Sequence, residues 1–291
     1  MKICISCGYR FEGEDWQCAK CGYLPEMLDG YPFFAPQLVD TYGGFEARFF
    51  HLLAEIEKGN FWFESRNRLL IWALRRYFSN ARNFLEIGCG TGFVLSGIHQ
   101  EFPKVVLYGS DLFVEGLMHA QKRVPKAFLF QMDARNIPFA EEFDVIGAFD
   151  VLEHIEEDET VLIQMHQAVC QRGGIILTVP QHPFLWSRRD DYAHHLRRYT
   201  AQELRAKVEN AGFEVLKITS FVSLLLPLMM ISRYKDKHSA VAYDPMSEVN
   251  INNFLNNLFE RILDFERWII RLRLSFPIGG SLLLVARKVS K

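Results

Sequence analysis

The stretch Asn83-Phe84-Leu85-Glu86-Ile87-Gly88-Cys89-Gly90-Thr91-Gly92-Phe93-Val94-Leu95 decides the fold. An apolar run ending in an acid reads as a buried strand, and residues 93–100 read as the first turns of a helix. Between them, three glycines at alternate positions read as a tight turn. Glycine is needed where backbone must bend sharply or press against a ligand with no Cβ in the way. Strand, glycine turn and helix together make a nucleotide-type pocket at the carboxyl end of a parallel sheet.

The spacing is Gly-x-Gly-x-Gly. It is not the Gly-x-Gly-x-x-Gly of the dinucleotide fingerprint, and it lacks the Lys-Ser/Thr of a phosphate loop. It resembles the first motif of the class I S-adenosylmethionine-dependent methyltransferases. That resemblance implies that Glu86, Gly88, Cys89, Gly90 and Gly92 surround the cofactor. Adenosylmethionine has no pyrophosphate, so no phosphate-reading turn is required. Its sulfonium and ammonium charges favour an acid such as Glu86 at the strand end.

The 291 residues, 49% hydrophobic and 23% charged, suit one large domain with an appendage. A formal charge of -2 argues against broad nucleic-acid binding, which shows a basic field. Met1 leads straight into a cysteine pair with no evident secretory signal. The longest apolar run towards the C-terminus, residues 221–231, falls well short of the roughly 20 residues of a membrane span. A soluble, cytoplasmic protein is expected. Six cysteines, four of them before residue 22, suit metal binding in a reducing compartment better than a disulfide framework.

Those four lie in two nearly identical knuckles, Cys4-Ile-Ser-Cys7-Gly8-Tyr9 and Cys18-Ala-Lys-Cys21-Gly22-Tyr23. Each puts two thiolates on one tight turn, and two such turns make a closed, structural site of four sulfurs. Residues 1–24 resemble a zinc ribbon with Cys4, Cys7, Cys18 and Cys21 as ligands, although iron also suits four thiolates. A module this small draws its folding energy from the metal. Residues 25–80 read as a linker punctuated by proline and glycine, leading to a helix over 45–58 and a helical lid opened by Phe61-Trp62-Phe63-Glu64-Ser65-Arg66. In methyltransferases with such a lid, Trp62 or Phe63 would contact the sulfonium or adenine, and Arg66 the methionine carboxylate. Plain packing is the other reading of the aromatics.

Three more strand ends follow in order. Residues 105–111 end in Asp111, 19 residues beyond Gly92, where a carboxylate can accept from both ribose hydroxyls and Leu112 follows against the adenine. Residues 127–133 end in Asp133, and the resemblance puts Asp133 and Ala134 at the adenine edge. The run Phe143-Asp-Val-Ile-Gly-Ala-Phe-Asp150-Val151-Leu-Glu-His154 resembles the same family closely. It implies that Asp150, Val151 and His154 line the floor beneath the methyl group, with His154 either a general base or structural. A helix over 158–171 is expected to stop at Gly173-Gly174 before a fifth strand, 175–180.

Residues 181–200 concentrate His, Arg, Asp and Tyr just past that strand. They resemble a stretch of methyltransferase-type proteins linked to cell-surface sugar, lipid-carrier or quinone pathways. On that reading His195, Arg197, Arg198 and Tyr199 hold an acidic or hydroxylated acceptor and His195 or His194 takes its proton; a surface charge cluster is the bland alternative. Thr200-Ala-Gln-Glu203 is a capping box ahead of the next helix, and residues 213–219 read as a sixth strand. An insert over 220–280 holds an apolar segment, a polar hinge around 235–239 and an amphipathic helix over 249–272. Its readings are a lipophilic acceptor pocket, a homo-oligomer face, a peripheral membrane contact, or packing on the sheet.

The expected fold is a doubly wound, Rossmann-like α/β sheet of seven strands, order 3-2-1-4-5-7-6, with the seventh, residues 281–287, antiparallel. The methyltransferase domain would span 81–291. The expected activity is transfer of the methyl of S-adenosylmethionine, leaving S-adenosylhomocysteine, to O or N of a small or lipid-linked acceptor. The sulfonium already activates the methyl, so in-line positioning is the main demand on the protein. Ribosomal RNA base methylation and a non-catalytic cofactor-binding scaffold are the alternatives.

Overall fold

The computed structural model describes residues 1–13, 15–39, 47–237 and 251–289. The chain opens with an antiparallel pair, β1 (Lys2–Ile3) and β2 (Arg10–Phe11). A hairpin of β3 (Glu26–Leu28) and β4 (Tyr31–Phe33) follows, then three helices, α1 (Pro36–Val39), α2 (Ala47–Ile56) and α3 (Phe61–Tyr77). Alternation then sets in: β5 (Asn83–Ile87), α4 (Phe93–Glu101), β6 (Val106–Asp111), α5 (Val114–Arg123), β7 (Phe128–Gln131), β8 (Phe143–Phe149), α6 (Asp158–Ala168) and β9 (Val169–Pro180). The rest is α7 (Arg188–Tyr192), α8 (Ala201–Asn210), β10 (Phe213–Phe221), α9 (Leu226–Lys237), α10 (Asn253–Arg271) and β11 (Ser281–Lys288).

Strands β5 to β11 lie in the expected order, and β11 runs antiparallel to both β10 and β9. Because β5 pairs in parallel with β6 and with β8, the loops after these three strands open on the same side. Helices cover both faces. Leu70, Leu74, Leu95 and Leu117 fill one side from α3, α4 and α5, and Leu162, Met165, Leu204 and Val208 fill the other from α6 and α8. Burying such a side chain contributes about 1.5–3 kcal/mol each. Among the described residues no helix is long and apolar enough to cross a membrane.

The sheet has nine strands rather than seven. The two additions are β4, which joins β7 in parallel through Phe33 and Gln131, and β3 outside it. Residues 26–33 were expected to be linker. Their prolines suggested a break, and three-residue strands are too short to show a period-two pattern. What holds them is the fully buried Gln131 amide, which accepts from the Ala35 amide nitrogen at 2.8 Å and donates to the Ala35 carbonyl at 2.9 Å.

A second correction concerns Gly173-Gly174. Helix α6 ends at Ala168, and both glycines lie inside β9, so they do not stop the helix. A Cβ on Gly174 would sit 2.2 Å from the Ala286 carbonyl oxygen and 2.5 Å from the Phe78 ring, so close approach demands the glycine. In the insert, β10 extends to Phe221 and α9 follows. Helix α10 starts behind the Asn252 cap and lies along α3, with Phe259 5.4 Å from Phe61 and Glu260 2.8 Å from Arg68. The expected Gly43-Gly44 linker, the first residues of the 45–58 helix, the end of the 235–239 hinge and the start at residue 249 lie outside the described residues.

Replacing Gln131 with Leu leaves two backbone groups of Ala35 buried without partners, each costing about 1–3 kcal/mol. Denaturant unfolding of Gln131→Leu should therefore show a loss of at least about 2 kcal/mol.

Candidate active site

The β5 loop is shaped by glycine. Gly88 has φ 67° and a Cβ there would strike Val151 at 2.5 Å; Gly92 has φ 74° and a Cβ would strike Ala120 at 2.8 Å. Gly88 therefore lets the β5 and β8 exits touch, while Gly92 lets α4 meet α5. Glu86 precedes this turn, buried, with one carboxylate oxygen lacking a partner. Burial pushes its carboxyl well above the usual range, Asp111 adds to that, and Arg66 opposes it. Cys89 contributes backbone: its thiol is buried and its N–H donates to the Ser110 carbonyl at 2.9 Å.

Asp111, at the end of β6, accepts from the Gly90 amide at 2.8 Å and the Phe113 amide at 3.0 Å. Burial nevertheless pushes its carboxyl up to about 6. Asp133 lies just past β7, where the Arg135 backbone and side chain hold it at 2.9 and 3.0 Å. A cavity of about 1270 Å³ is lined by Glu86, Gly88, Cys89, Gly90, Asp111, Leu112, Asp133 and Ala134, and continues past Trp62, Arg66, Asp150, Val151, His154, His195 and Arg198. Gly92, Arg197 and Tyr199 are the residues of the sequence-derived set of cofactor, acceptor and catalytic groups that do not line it.

Three further placements bear on the sequence reading. Arg66 donates to Asp150 and lies 4.4 Å over the Trp62 ring, so its guanidinium already has a carboxylate partner within the protein. Tyr199 is fully buried and donates its hydroxyl to Asp158 at 2.6 Å. Burial and the Asp158 carboxylate push that phenol far up, so it is a staple between the 181–200 loop and α6 rather than a catalytic group. Arg197 also turns to Asp158, at 3.0 Å, and to the Glu156 carbonyl. The charged loop is thus partly a structural network, and only its inner side reaches the cavity.

The organiser of that inner side is a residue the sequence reading did not single out. Asp190 is fully buried and accepts from His195 Nδ1 at 2.9 Å, Arg198 Nε at 2.8 Å and Arg233 at 3.2 Å. Burial opposes its charge, but the His195 hydrogen bond and the Arg198 and Arg233 charges outweigh it and hold the carboxyl well below its usual range. One Arg198 Nη donates to the Gln181 carbonyl at 3.0 Å, which makes the side chain a support for Asp190. His154 packs edge-on to His195 with ring centroids 4.8 Å apart. Burial, then the His195 charge, push its pKa down to about 4, leaving it neutral at ordinary pH. Glu57 was also missed. It is buried against Thr91, which donates at 2.7 Å, and against Arg123, tying the end of α2 to the glycine loop. An acid just past a helix C-terminus opposes the macrodipole, and that signal was available.

The four N-terminal cysteines converge, with Cys4 and Cys21 sulfurs 3.6 Å apart and Cys7 and Cys18 sulfurs 3.7 Å apart. Four sulfurs about 2.3 Å from one ion have edges of about 3.8 Å, so the donor set fits a tetrahedral metal. The module is docked on the domain. Trp16 packs on Phe34 and Phe139 at 4.7 and 5.5 Å, and the Ile3 amide donates to the Pro138 carbonyl at 3.0 Å.

Residues 54–218 match a family model described as a methyltransferase domain. A Mycolicibacterium smegmatis protein named "Probable S-adenosylmethionine-dependent methyltransferase" is 25% identical over 159 residues, covering 54% of this chain and 60% of that protein. A Streptomyces venezuelae dTDP-3-amino-3,4,6-trideoxy-alpha-D-glucopyranose N,N-dimethyltransferase is 28% identical over 103 residues, covering 34% of this chain and 43% of that protein. The chain thus spans well under the full length of these curated relatives. Among solved structures, Haemonchus contortus phosphoethanolamine N-methyltransferase 2 with S-adenosylmethionine shares the fold, at TM-score 0.57 and 17% identity over 87% of this chain and 60% of that one.

The raised Asp111 carboxyl makes a signed prediction. Between about pH 6 and the ordinary carboxylate range the folded chain binds a proton that the unfolded chain does not. The parent should therefore gain stability relative to Asp111→Asn as pH falls from 8 to 5, by about 1.4 kcal/mol, one pH unit below the folded value at about 1.4 kcal/mol per unit. Melting curves of both proteins across that range check the sign.

Proposed function

The chain belongs to the class I S-adenosylmethionine-dependent methyltransferase domains, and from that premise we propose that it methylates O or N of a small or lipid-linked acceptor. The observation that carries this reading is the single cavity shared by the strand-end acids and the His154–His195 floor. At about 1270 Å³ it exceeds the roughly 300–1,000 Å³ of an ordinary small-molecule site, which leaves room for two substrates side by side.

In this reading Asp111 accepts from the ribose hydroxyls, Met132 to Ala134 border the adenine, and Glu86 with the glycine loop faces the methionine end. When bound, the sulfonium supplies a methyl group already activated for displacement. The protein's share is to hold the acceptor atom in line and to exclude water. Val222, Leu225, Leu228 and Met229 give the far wall of the cavity an apolar character suited to a lipophilic acceptor. For a hydroxyl acceptor a proton must also leave, and the floor around His154 and His195 is where it would do so. The cysteine module, in the same reading, holds a structural zinc.

Calorimetric titration with S-adenosylmethionine, followed by a methyl-release assay over quinols, sugars and RNA, tests the proposal. Asp111→Ala should bind the cofactor at least about tenfold more weakly, as expected for losing charge-assisted hydrogen bonds; unchanged affinity would remove the ribose assignment. Replacing Cys4 and Cys21 with Ser should lower bound zinc by one ion per chain and lower the melting temperature, since structural zinc contributes folding energy.

A further inference from the structure

Three donors on the cavity floor have a role that proton transfer does not use up. We propose that Glu153, His154 and His195 form a divalent-cation site of the two-histidine, one-carboxylate kind, whose open positions take the oxygen of the methyl acceptor. This deepens the methyl-transfer reading and rests on it for the role of the ion, though not for its binding.

One ligand atom from each residue lies within 4.8 Å of the others. Donors about 2.1 Å from a cation stand about 3–4 Å apart, so small rotations of the side chains close the set. Glu153 is the telling member. It is 0% exposed, and neither carboxylate oxygen has a hydrogen-bond partner. A buried carboxyl without partners is costly. The two nearby guanidiniums act on it only through space, because the hydrogen bonds of Arg66 go to Asp150 and those of Arg198 to Asp190 and the Gln181 carbonyl.

One of the imidazoles is fixed from behind, as metal-binding histidines are. His195 Nδ1 faces Asp190 at 2.9 Å, which leaves Nε2 for the ion. His154 is held by packing, edge-on to the His195 ring with centroids 4.8 Å apart. The loop that carries His195 is itself clamped to the Glu153 turn, since the Leu196 amide donates to the Glu153 carbonyl at 2.7 Å. All three residues border the cavity, so a cation held by them would keep positions open to it. Oxygen and nitrogen donors distinguish this site from the thiolate cluster at the N-terminus.

The step balances without an oxidant. An acceptor hydroxyl bound to the cation is more acidic and releases its proton to water. The acceptor oxygen then forms its bond to the methyl carbon as the carbon–sulfur bond breaks, and the sulfonium leaves as a neutral thioether.

The test uses the full chain with its N-terminal metal in place, titrated with Mn2+ while free Mn2+ is read by electron paramagnetic resonance. Mn2+ prefers oxygen and nitrogen donors and competes poorly for thiolates. One saturable Mn2+ per chain is expected, with Glu153→Gln and His195→Gln each weakening it at least about tenfold. Absence of saturable binding in the parent overturns the site, as does unchanged binding in both variants, which would place the ion elsewhere. Melting curves and S-adenosylmethionine titration confirm that each variant is folded, and His154→Asn replaces any that is not. Because Mn2+ binding is read without acceptor, it survives a failure of the methyl-transfer reading. Transfer to a hydroxyl acceptor that is indifferent to both Mn2+ and Glu153→Gln would overturn the role given to the ion.

Discussion

Glu86, Asp111 and Glu153 are carboxyls buried around one cavity, and the cost of that burial shapes what surrounds them. Charges in a low-dielectric site repel more strongly than in water. Asp111 adds to the difficulty of Glu86, and Arg66, drawn to Asp150, relieves Glu86 only from a distance. The fold tolerates this because the acids are delivered by central strands whose pairing is fixed by apolar faces on both sides. A scaffold without that surplus of buried apolar area would not hold three such groups in place. The arrangement is suited to cationic ligands, and the proposed functions follow from that electrostatic demand.

The parts added to the central sheet all reach the same loops. Helix α2 is pinned through Glu57, Thr91 and Arg123 to the glycine turn. Helix α3 places Trp62 and Arg66 over the β8 exit, and α10 braces α3 from outside. The cysteine module bonds to the 137–140 turn, just beyond Asp133. Each addition is therefore a support for one wall of the cavity as well as a piece of packing.

Much of this was legible in the sequence for a plain reason. Strands β5, β6 and β8 are near-continuous apolar runs, bounded by glycine or acid, and a buried parallel strand has little other way to look. The acids at their ends could be placed because strand ends fix direction. The β3–β4 hairpin was hidden, since its strands are held by the distant Gln131 side chain and not by a pattern of their own. Gly174 misled because glycine serves both helix stops and close strand approach, and only the Ala286 carbonyl tells which. Tyr199 and Arg197 sit beside His195 in sequence but turn to Asp158 on α6, a partner that composition does not reveal. Asp190 is not marked in the sequence either: a burial as complete as its own is rare for a carboxylate and needs Arg198 from its own loop and Arg233 from α9.

The hairpin at the sheet margin has a bearing on assembly. An outermost strand of three residues offers few free backbone groups to a second molecule, and short margins of this kind resist extension by foreign strands. Growth of the sheet from one copy into the next is thus discouraged on the β3 side. A catalytic unit trimmed back to residue 81 would present β7 there instead, with the Tyr108 and Phe128 rings, stacked at 5.1 Å, beside the bared strand. In the full chain the hairpin covers that margin.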